Sequence, residues 1–288
     1  MAERTLGVIG GSGLYELPGL EAMERTRVQT PFGDPSDEVV VGRLGGTRLL
    51  FLPRHGRGHR LLPSELPFRA NVWALKALGA ECLLAVSAVG SLREEIAPGH
   101  VVVPDQFIDR TRGRQAESTF FGRGVVAHVQ FADPFCAPLS RALVDAAQAS
   151  GALVHAGGTY VCMEGPAFST RAESHLYRSW GAHVIGMTNL QEAKLAREAE
   201  LCFATLALAT DYDCWHAGHD DVQIDTILTV LAANVELARR TVAALATRLP
   251  ASTGCVCSRA LENAIITDRA LIPPEVKRDL QPIAGRYL

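Results

Sequence analysis

Two carboxylates bracket an aromatic residue in Thr210-Asp211-Tyr212-Asp213, directly after the apolar run 202–209. Strand alternation puts Asp211 and Asp213 on one side of the chain if the extended conformation continues that far. A carboxylic acid in an apolar cleft keeps its proton to higher pH and can donate it near neutrality. Two neighbouring acids therefore fit a proton donor with a partner, the acid and base or nucleophile of a glycoside hydrolase, or a capped polar turn. Other residues suit an anion. Gly10-Gly11-Ser12-Gly13 follows the apolar run 6–9, where glycines let backbone amides approach a ligand beside the Ser12 hydroxyl. Arg54 and His55 follow the run 49–52 and bring a permanently charged fork and an imidazole donor. Ser87 and Thr188 each add a hydroxyl after an apolar run. Such donors suit orthophosphate, whose oxygens accept many hydrogen bonds, and require no metal. His216-Ala217-Gly218-His219-Asp220-Asp221 matches no familiar zinc or calcium spacing and reads as a solvated loop. Phe168, after Glu164-Gly165-Pro166-Ala167, offers a face for stacking on a planar ligand, though an aromatic after a Gly-Pro turn is more often part of the core.

These residues need a scaffold that brings distant segments together. Short apolar runs at 6–9, 49–52, 82–86, 100–103, 159–163, 183–187 and 202–209 alternate with helical patterns at 68–78 and 170–180, which end at Gly79 and Gly181. Ile227, Leu231, Val235, Ala238, Val242, Leu245 and Leu249 keep a spacing of three or four and predict a long amphipathic helix. The pattern predicts an α/β fold: a single domain with a central mixed, largely parallel twisted sheet flanked by helices. In open α/β sheets ligands bind beyond the carboxyl ends of the strands, so the polar tips after Ile9, Leu52, Val86, Met187 and Ala209 are expected to share one crevice. Pro250-Ala251-Ser252-Thr253-Gly254 breaks the long helix. This divides a catalytic domain, 1–249, from a C-terminal extension, 250–288, expected to pack on the domain or on a neighbouring subunit.

With 48% hydrophobic and 20% charged residues the chain has the balance of a globular protein with a substantial core. Its formal charge of −3 offers no general attraction for nucleic acid or an anionic membrane. No run approaches the ~18 apolar residues of a membrane span. The start of the chain lacks the apolar stretch of a signal peptide, so the expected location is the cytoplasm. Seven scattered cysteines do not form a secreted disulfide framework. Cys255-Val256-Cys257 reads either as two ordinary thiols or as a strained disulfide or redox pair.

Several segments together resemble the methylthioadenosine phosphorylases of the trimeric purine nucleoside phosphorylase family. They are Ile9-Gly10-Gly11-Ser12-Gly13-Leu14, Thr30-Pro31-Phe32-Gly33-Asp34-Pro35-Ser36, Arg54-His55-Gly56, Gly90-Ser91-Leu92-Arg93-Glu94-Glu95, Asp105-Gln106-Phe107-Ile108-Asp109-Arg110-Thr111, Glu164-Gly165-Pro166, Arg171-Ala172-Glu173-Ser174 and Ala209-Thr210-Asp211-Tyr212-Asp213-Cys214-Trp215. The resemblance implies that Ser12, Arg54, His55, Ser87, the backbone at Ala88, and Thr188 hold phosphate. It implies that Met187 lies against the ribose and Phe168 against the base, with Ser169 nearby. Asp211 and Asp213 would face the purine N7 and 6-amino group, with Asp211 favoured as general acid. Val222, Ile224, Ile227 and Leu228 would cover the methylthio group, and His128 would come from the neighbouring subunit. The implied reaction is phosphorolysis of 5′-methylthioadenosine to adenine and 5-methylthioribose 1-phosphate, in which the bound phosphate also stabilises the cationic ribosyl ring. The alternative is a phosphorylase acting mainly on adenosine, 5′-deoxyadenosine or a 6-oxopurine nucleoside. Orthophosphate is a co-substrate, no other cofactor is implied, and the assembly would be a homotrimer or a dimer of trimers. The chain departs from the pattern at Pro67-Phe68, at Gln191 and at Ser87, where many such proteins carry Asn-Tyr, Pro and Thr. These departures bear on substrate preference more than on reaction type.

Overall fold

The computed structural model describes residues 3–288 apart from 12, 15, 18, 217–223 and 253, and describes 224–229 and 231 by their backbone alone. In chain order the strands are β1 (Arg4–Gly10), β2 (Glu21–Thr26), β3 (Val39–Leu44), β4 (Thr47–Pro53), β5 (Cys82–Ser91), β6 (Val101–Val103), β7 (Gln106–Arg110), β8 (Val154–Ala156), β9 (Thr159–Met163), β10 (Val184–Gly186) and β11 (Cys202–Asp211). The helices are α1 (Phe68–Ala77), α2 (Ala137–Ala149), α3 (Arg171–Ser179), α4 (Asn189–Glu198), α5 (Ile224–Ala246), α6 (Pro274–Asp279) and α7 (Gln281–Ala284).

The apolar runs form strands without polar alternation because both faces of the sheet are covered. Ile9, Leu50, Leu52, Leu83 and Ala85 pack with Val72 and Leu75 of α1 and Leu195 of α4. Their immediate neighbours Val8, Leu49, Phe51, Leu84 and Val86 point the other way, against Leu139 and Leu143 of α2 and Val242 and Leu245 of α5. This is the twofold period of a strand read out as two helical layers.

β1 lies parallel between β4 and β5, and β5 is parallel to β11. An antiparallel meander of β2, β3 and β4 forms one edge. The last residues of β5 pair antiparallel with β10, which carries β9 and then β7 in parallel. The eleven strands thus form the expected mixed sheet, forked at β5 because that strand runs on to Ser91.

The helix expected across 225–249 is α5, and those expected at 68–78 and 170–180 are α1 and α3. Residues 250–288 pack on their own chain, with Leu261, Ile265, Ile272, Val276, Leu280 and Ile283 in the same cluster as Phe68 and Leu75. Trp73 fixes the contact by donating its indole N–H to the Asp279 carbonyl at 2.9 Å. All seven cysteines are free thiols, so Cys255 and Cys257 form no disulfide. Among the described residues no helix is long and apolar enough to cross a membrane.

Candidate active site

Arg54 stands just beyond the end of β4, where its backbone N–H donates to the Gly10 carbonyl at the end of β1 at 2.9 Å. Its guanidinium is almost wholly buried, 4% exposed. Nε and Nη2 donate to the two carboxylate oxygens of Glu192 at 2.5 and 3.0 Å, Nη1 donates to the Val86 carbonyl at 2.8 Å, and Nη2 also reaches the Ile9 carbonyl at 3.2 Å. A guanidinium has five N–H donors, and these bonds leave one, on Nη1. The forked face that sequence reasoning assigned to an anion is therefore closed on Glu192. Burial opposes the Arg54 charge, but the Glu192 carboxylate outweighs it and holds the group protonated above its ordinary range. The pair stitches the ends of β1 and β4 and the middle of β5 to the first turn of α4.

His55 also differs from expectation. Its Nδ1 lies 2.8 Å from the Leu61 carbonyl and its ring stacks on His59 with centroids 4.2 Å apart. A carbonyl only accepts, so Nδ1 carries the ring proton and Nε2 of the neutral ring presents a lone pair rather than the predicted donor. Burial lowers its pKa to about 4, helped by the positive charge of Arg54. By ¹⁵N NMR at about pH 6 the ring is expected to show one protonated and one bare nitrogen. A doubly protonated ring there would contradict this geometry.

Ser87 lies inside β5 rather than after it. Its buried hydroxyl is 3.3 Å from the Tyr160 hydroxyl. Ala88 is exposed although Val86, Ser87 and Val89 around it are buried, so β5 reaches the surface at that residue. Thr188 caps α4, buried, with a hydroxyl that makes no capping bond. Arg54, Ser87 and Thr188 are thus linked through Val86 and the first turn of α4. Ser12 lies outside the described residues.

The acids occupy the end of β11, where its register with β5 shifts between Ala209 and Asp211. Thr210 Oγ1 donates to Asp211 Oδ2 and the Asp213 N–H donates to Asp211 Oδ1, both at 2.7 Å. Gly90 makes room beside them, since a Cβ there would lie 3.0 Å from Asp211 Oδ1. The strand stops at Asp211, and Asp213 adopts a left-handed φ of 52°. The two carboxylates are neighbours through this turn and not through the expected strand alternation. Such backbone outliers in non-glycine residues concentrate at functional sites.

The environments of the acids differ. Burial raises the Asp211 pKa, but the Thr210 hydroxyl and the Asp213 amide stabilise its ionised form. Burial pushes Asp213 up to about 6, against some help from Ser174, and the negative charge of Asp211 adds to the rise. Asp213 Oδ2 and the Ser174 hydroxyl are both buried without a partner at good hydrogen-bonding geometry.

Beside the acids, where Cys214 Sγ donates to the Ser169 carbonyl at 3.3 Å, runs the loop that joins β9 to α3. Phe168 is exposed on it, and Ser169 Oγ donates to Met163 Sδ at 3.7 Å. Met187 packs against Gly165, where a Cβ would come within 2.6 Å of its sulfur. Arg114, which sequence reasoning missed, anchors this region through the Met187 and Glu164 carbonyls and, at 3.2 Å, the Glu164 carboxylate. His128 stands apart: it is exposed, its N–H donates to the Ala264 carbonyl at 2.9 Å, and it lines a different cleft with Phe135 and Cys136. Val222 and the side chains of Ile224, Ile227 and Leu228 lie outside the described residues.

A buried cation beyond one strand, a hydroxyl within the next and another capping α4, with a proton-holding acid pair at the end of β11, suit chemistry between an anion and a neutral base. The chain belongs to the phosphorylase superfamily, whose family model matches residues 5–249. It is similar to the S-methyl-5′-thioadenosine phosphorylase of Geobacter sulfurreducens, 60% identical over 99% of this chain and 100% of that relative. The protein of the same name from Chloroflexus aurantiacus is 56% identical over 100% of this chain and 99% of its own length. Among solved structures, a methylthioadenosine phosphorylase from an antarctic soil metagenomic library superposes with a TM-score of 0.92 at 46% identity, covering 98% of this chain and 99% of that one. The Schistosoma mansoni methylthioadenosine phosphorylase in complex with adenine gives a TM-score of 0.84 at 36% identity, covering 94% and 98%.

Proposed function

We propose that this chain phosphorolyses 5′-methylthioadenosine, releasing adenine and 5-methylthioribose 1-phosphate. The observation that carries the chemistry is the acid pair at the end of β11, in which Asp211 has both oxygens hydrogen-bonded and Asp213 keeps one free with its pKa raised to about 6. The full-length similarity to S-methyl-5′-thioadenosine phosphorylases supports the choice of substrate.

In this reading the remaining Arg54 N–H, the hydroxyls of Ser12, Ser87 and Thr188, and the backbone at Ala88 hold orthophosphate. The neutral His55 accepts a hydrogen bond from a protonated phosphate oxygen. Phosphate oxygen bonds to C1′ as the bond from C1′ to the purine breaks, and the electron pair of that bond passes to the base, which takes a proton at N7. We place that proton on Asp213, although sequence alone favoured Asp211, because hydrogen bonds already satisfy the Asp211 carboxylate. Asp211 then accepts from the 6-amino group, Phe168 stacks on the base with Ser169 beside it, and Met187 supports the ribose. No cofactor beyond the co-substrate phosphate takes part.

The catalytic unit is 1–249, with 250–288 as an extension. The enzyme acts in the cytoplasm, where its free thiols stay reduced. The assembly is a homotrimer or a dimer of trimers in which His128, remote from its own site, serves a neighbour's. Val222, Ile224, Ile227 and Leu228 cover the methylthio group. Steady-state kinetics with 5′-methylthioadenosine, adenosine, 5′-deoxyadenosine and inosine, each with phosphate, test the substrate. The expected kcat/KM for methylthioadenosine exceeds that for inosine by about 10²-fold or more, since a 6-oxo group sets an acceptor against the ionised Asp211 where the 6-amino group sets a donor. Equal values would defeat the proposal.

A further inference from the structure

Four cysteines distant in sequence meet at the junction between the sheet and the C-terminal segment. Cys136 is the N-cap of α2, Cys202 opens β11, and Cys255 and Cys257 flank Val256 in the first turn after the break at 250–254. Their sulfur atoms all lie within 4.8 Å of one another, and Cys136 Sγ is 3.6 Å from Cys255 Sγ. Backbone bonds fix the arrangement, since the Cys136 N–H donates to the Phe203 carbonyl at 2.8 Å and the Ser258 N–H to the Cys255 carbonyl at 3.1 Å. Cys136, Cys202 and Cys257 are buried in the α2 and α5 layer, while Cys255 is only half-buried.

We infer that these four thiols form a tetrahedral site for one zinc-class divalent cation, which ties the C-terminal segment to α2 and β11. A tetrahedral thiolate cage with bonds of about 2.3 Å has edges of about 3.8 Å. The sulfur atoms span that dimension and need to close by an ångström or less. Zinc binding replaces the thiol protons, so one Zn²⁺ and four thiols give a dianionic centre and release four protons.

Cys136 sits at the positive end of α2, which favours that charge, and the cleft beside the sulfurs carries both arginines, among them Arg197 and Arg259, and acids, among them Asp133 and Glu262. This cleft, about 1170 Å³, reaches Cys136, Cys255 and Cys257 and gives an ion access from solvent. No residue of the acid pair or of the phosphate-side donors lines it. The role is structural: closing it joins three segments far apart in the chain, whereas C-x-C alone has too tight a spacing for a familiar zinc motif.

The full chain purified with a phosphine reductant, supplied with one equivalent of Zn²⁺ and dialysed, tests this by elemental analysis. The result expected is about one zinc per chain, released by a mercurial reagent, and thiolate-to-cobalt charge-transfer bands when Co²⁺ replaces zinc. Cys255→Ser changes the half-buried ligand and spares the core; it should lower zinc affinity by more than the roughly 10-fold minimum for losing an outer partner of a ligand. Cys214→Ser, outside the cluster, should leave the cobalt spectrum unchanged. Absence of zinc and of the cobalt bands from the reduced chain would overturn the site, as would an unchanged spectrum in Cys255→Ser. A mass lower by two hydrogens per cysteine pair, together with no metal uptake after reduction, would show disulfides instead.

Discussion

Glu192→Gln is expected to cost about 3–5 kcal/mol of stability and to raise the KM for phosphate, because it leaves the buried Arg54 guanidinium without its counter-charge. The wild-type carboxylate is 1% exposed and takes two of the guanidinium's N–H groups, while two more go to the Ile9 and Val86 carbonyls of β1 and β5 and one is left. Gln keeps the shape but offers one acceptor and one donor, and the donor faces a cation. Denaturant titration measures the loss, and initial rates against phosphate concentration measure the binding defect. Replacing both partners with apolar residues, as in Arg54→Met with Glu192→Leu, should recover much of the stability while phosphate use stays lost. A Glu192→Gln protein with wild-type stability would refute the view that this pair organises the strand ends.

Asp213→Asn is expected to lower kcat by about 10²- to 10⁴-fold, since Asn can donate a hydrogen bond to N7 but cannot transfer the proton. The same variant should become more stable than wild type, and only on the alkaline side. The folded protein holds Asp213 at about 6 against an ordinary 3.8, so below that ordinary value both folded and unfolded chains are protonated and the acid costs nothing. As pH rises through the window from 3.8 to about 6 the unfolded chain loses its proton first and stability falls; above it the penalty is complete. The Asn variant escapes a cost of up to roughly 3 kcal/mol there, less what burying the amide costs. Thermal melts at about pH 4 and about pH 8 separate the two effects. A gain of the same size at both would show that Asp213 is not a proton-holding acid.

The features legible in the sequence were those with a local signal. Apolar runs gave β1, β4, β5 and β11, and glycine stops gave the ends of α1 and α3. α4 escaped notice because Gln191, Glu192 and Glu198 are buried polar residues, which in sequence mimic a solvated face. β2, Glu-Ala-Met-Glu-Arg-Thr, escaped because it is an exposed edge strand held by pairing with β3 rather than by burial.

At the site, residue types located Arg54, His55, Asp211 and Asp213, but their partners were hidden. Glu192 lies 138 positions from Arg54, and no spacing links them. The Leu61 carbonyl that fixes the His55 tautomer is a backbone atom, invisible to residue-type reasoning. Asp213 was placed by assuming that the strand continues, whereas the chain turns through a left-handed residue. Cys255 and Cys257 stood out as a close pair, but nothing in sequence linked them to Cys136 and Cys202.

In the proposed reaction phosphate, not water, receives the sugar. The most direct measurement follows 5′-methylthioadenosine with the pure enzyme in buffer stripped of phosphate and again after adding it, recording adenine by absorbance and the sugar product by ³¹P NMR. Adenine release is expected only with phosphate present, matched mole for mole by a sugar 1-phosphate. Equal adenine release without phosphate, with free methylthioribose as the product, would contradict it.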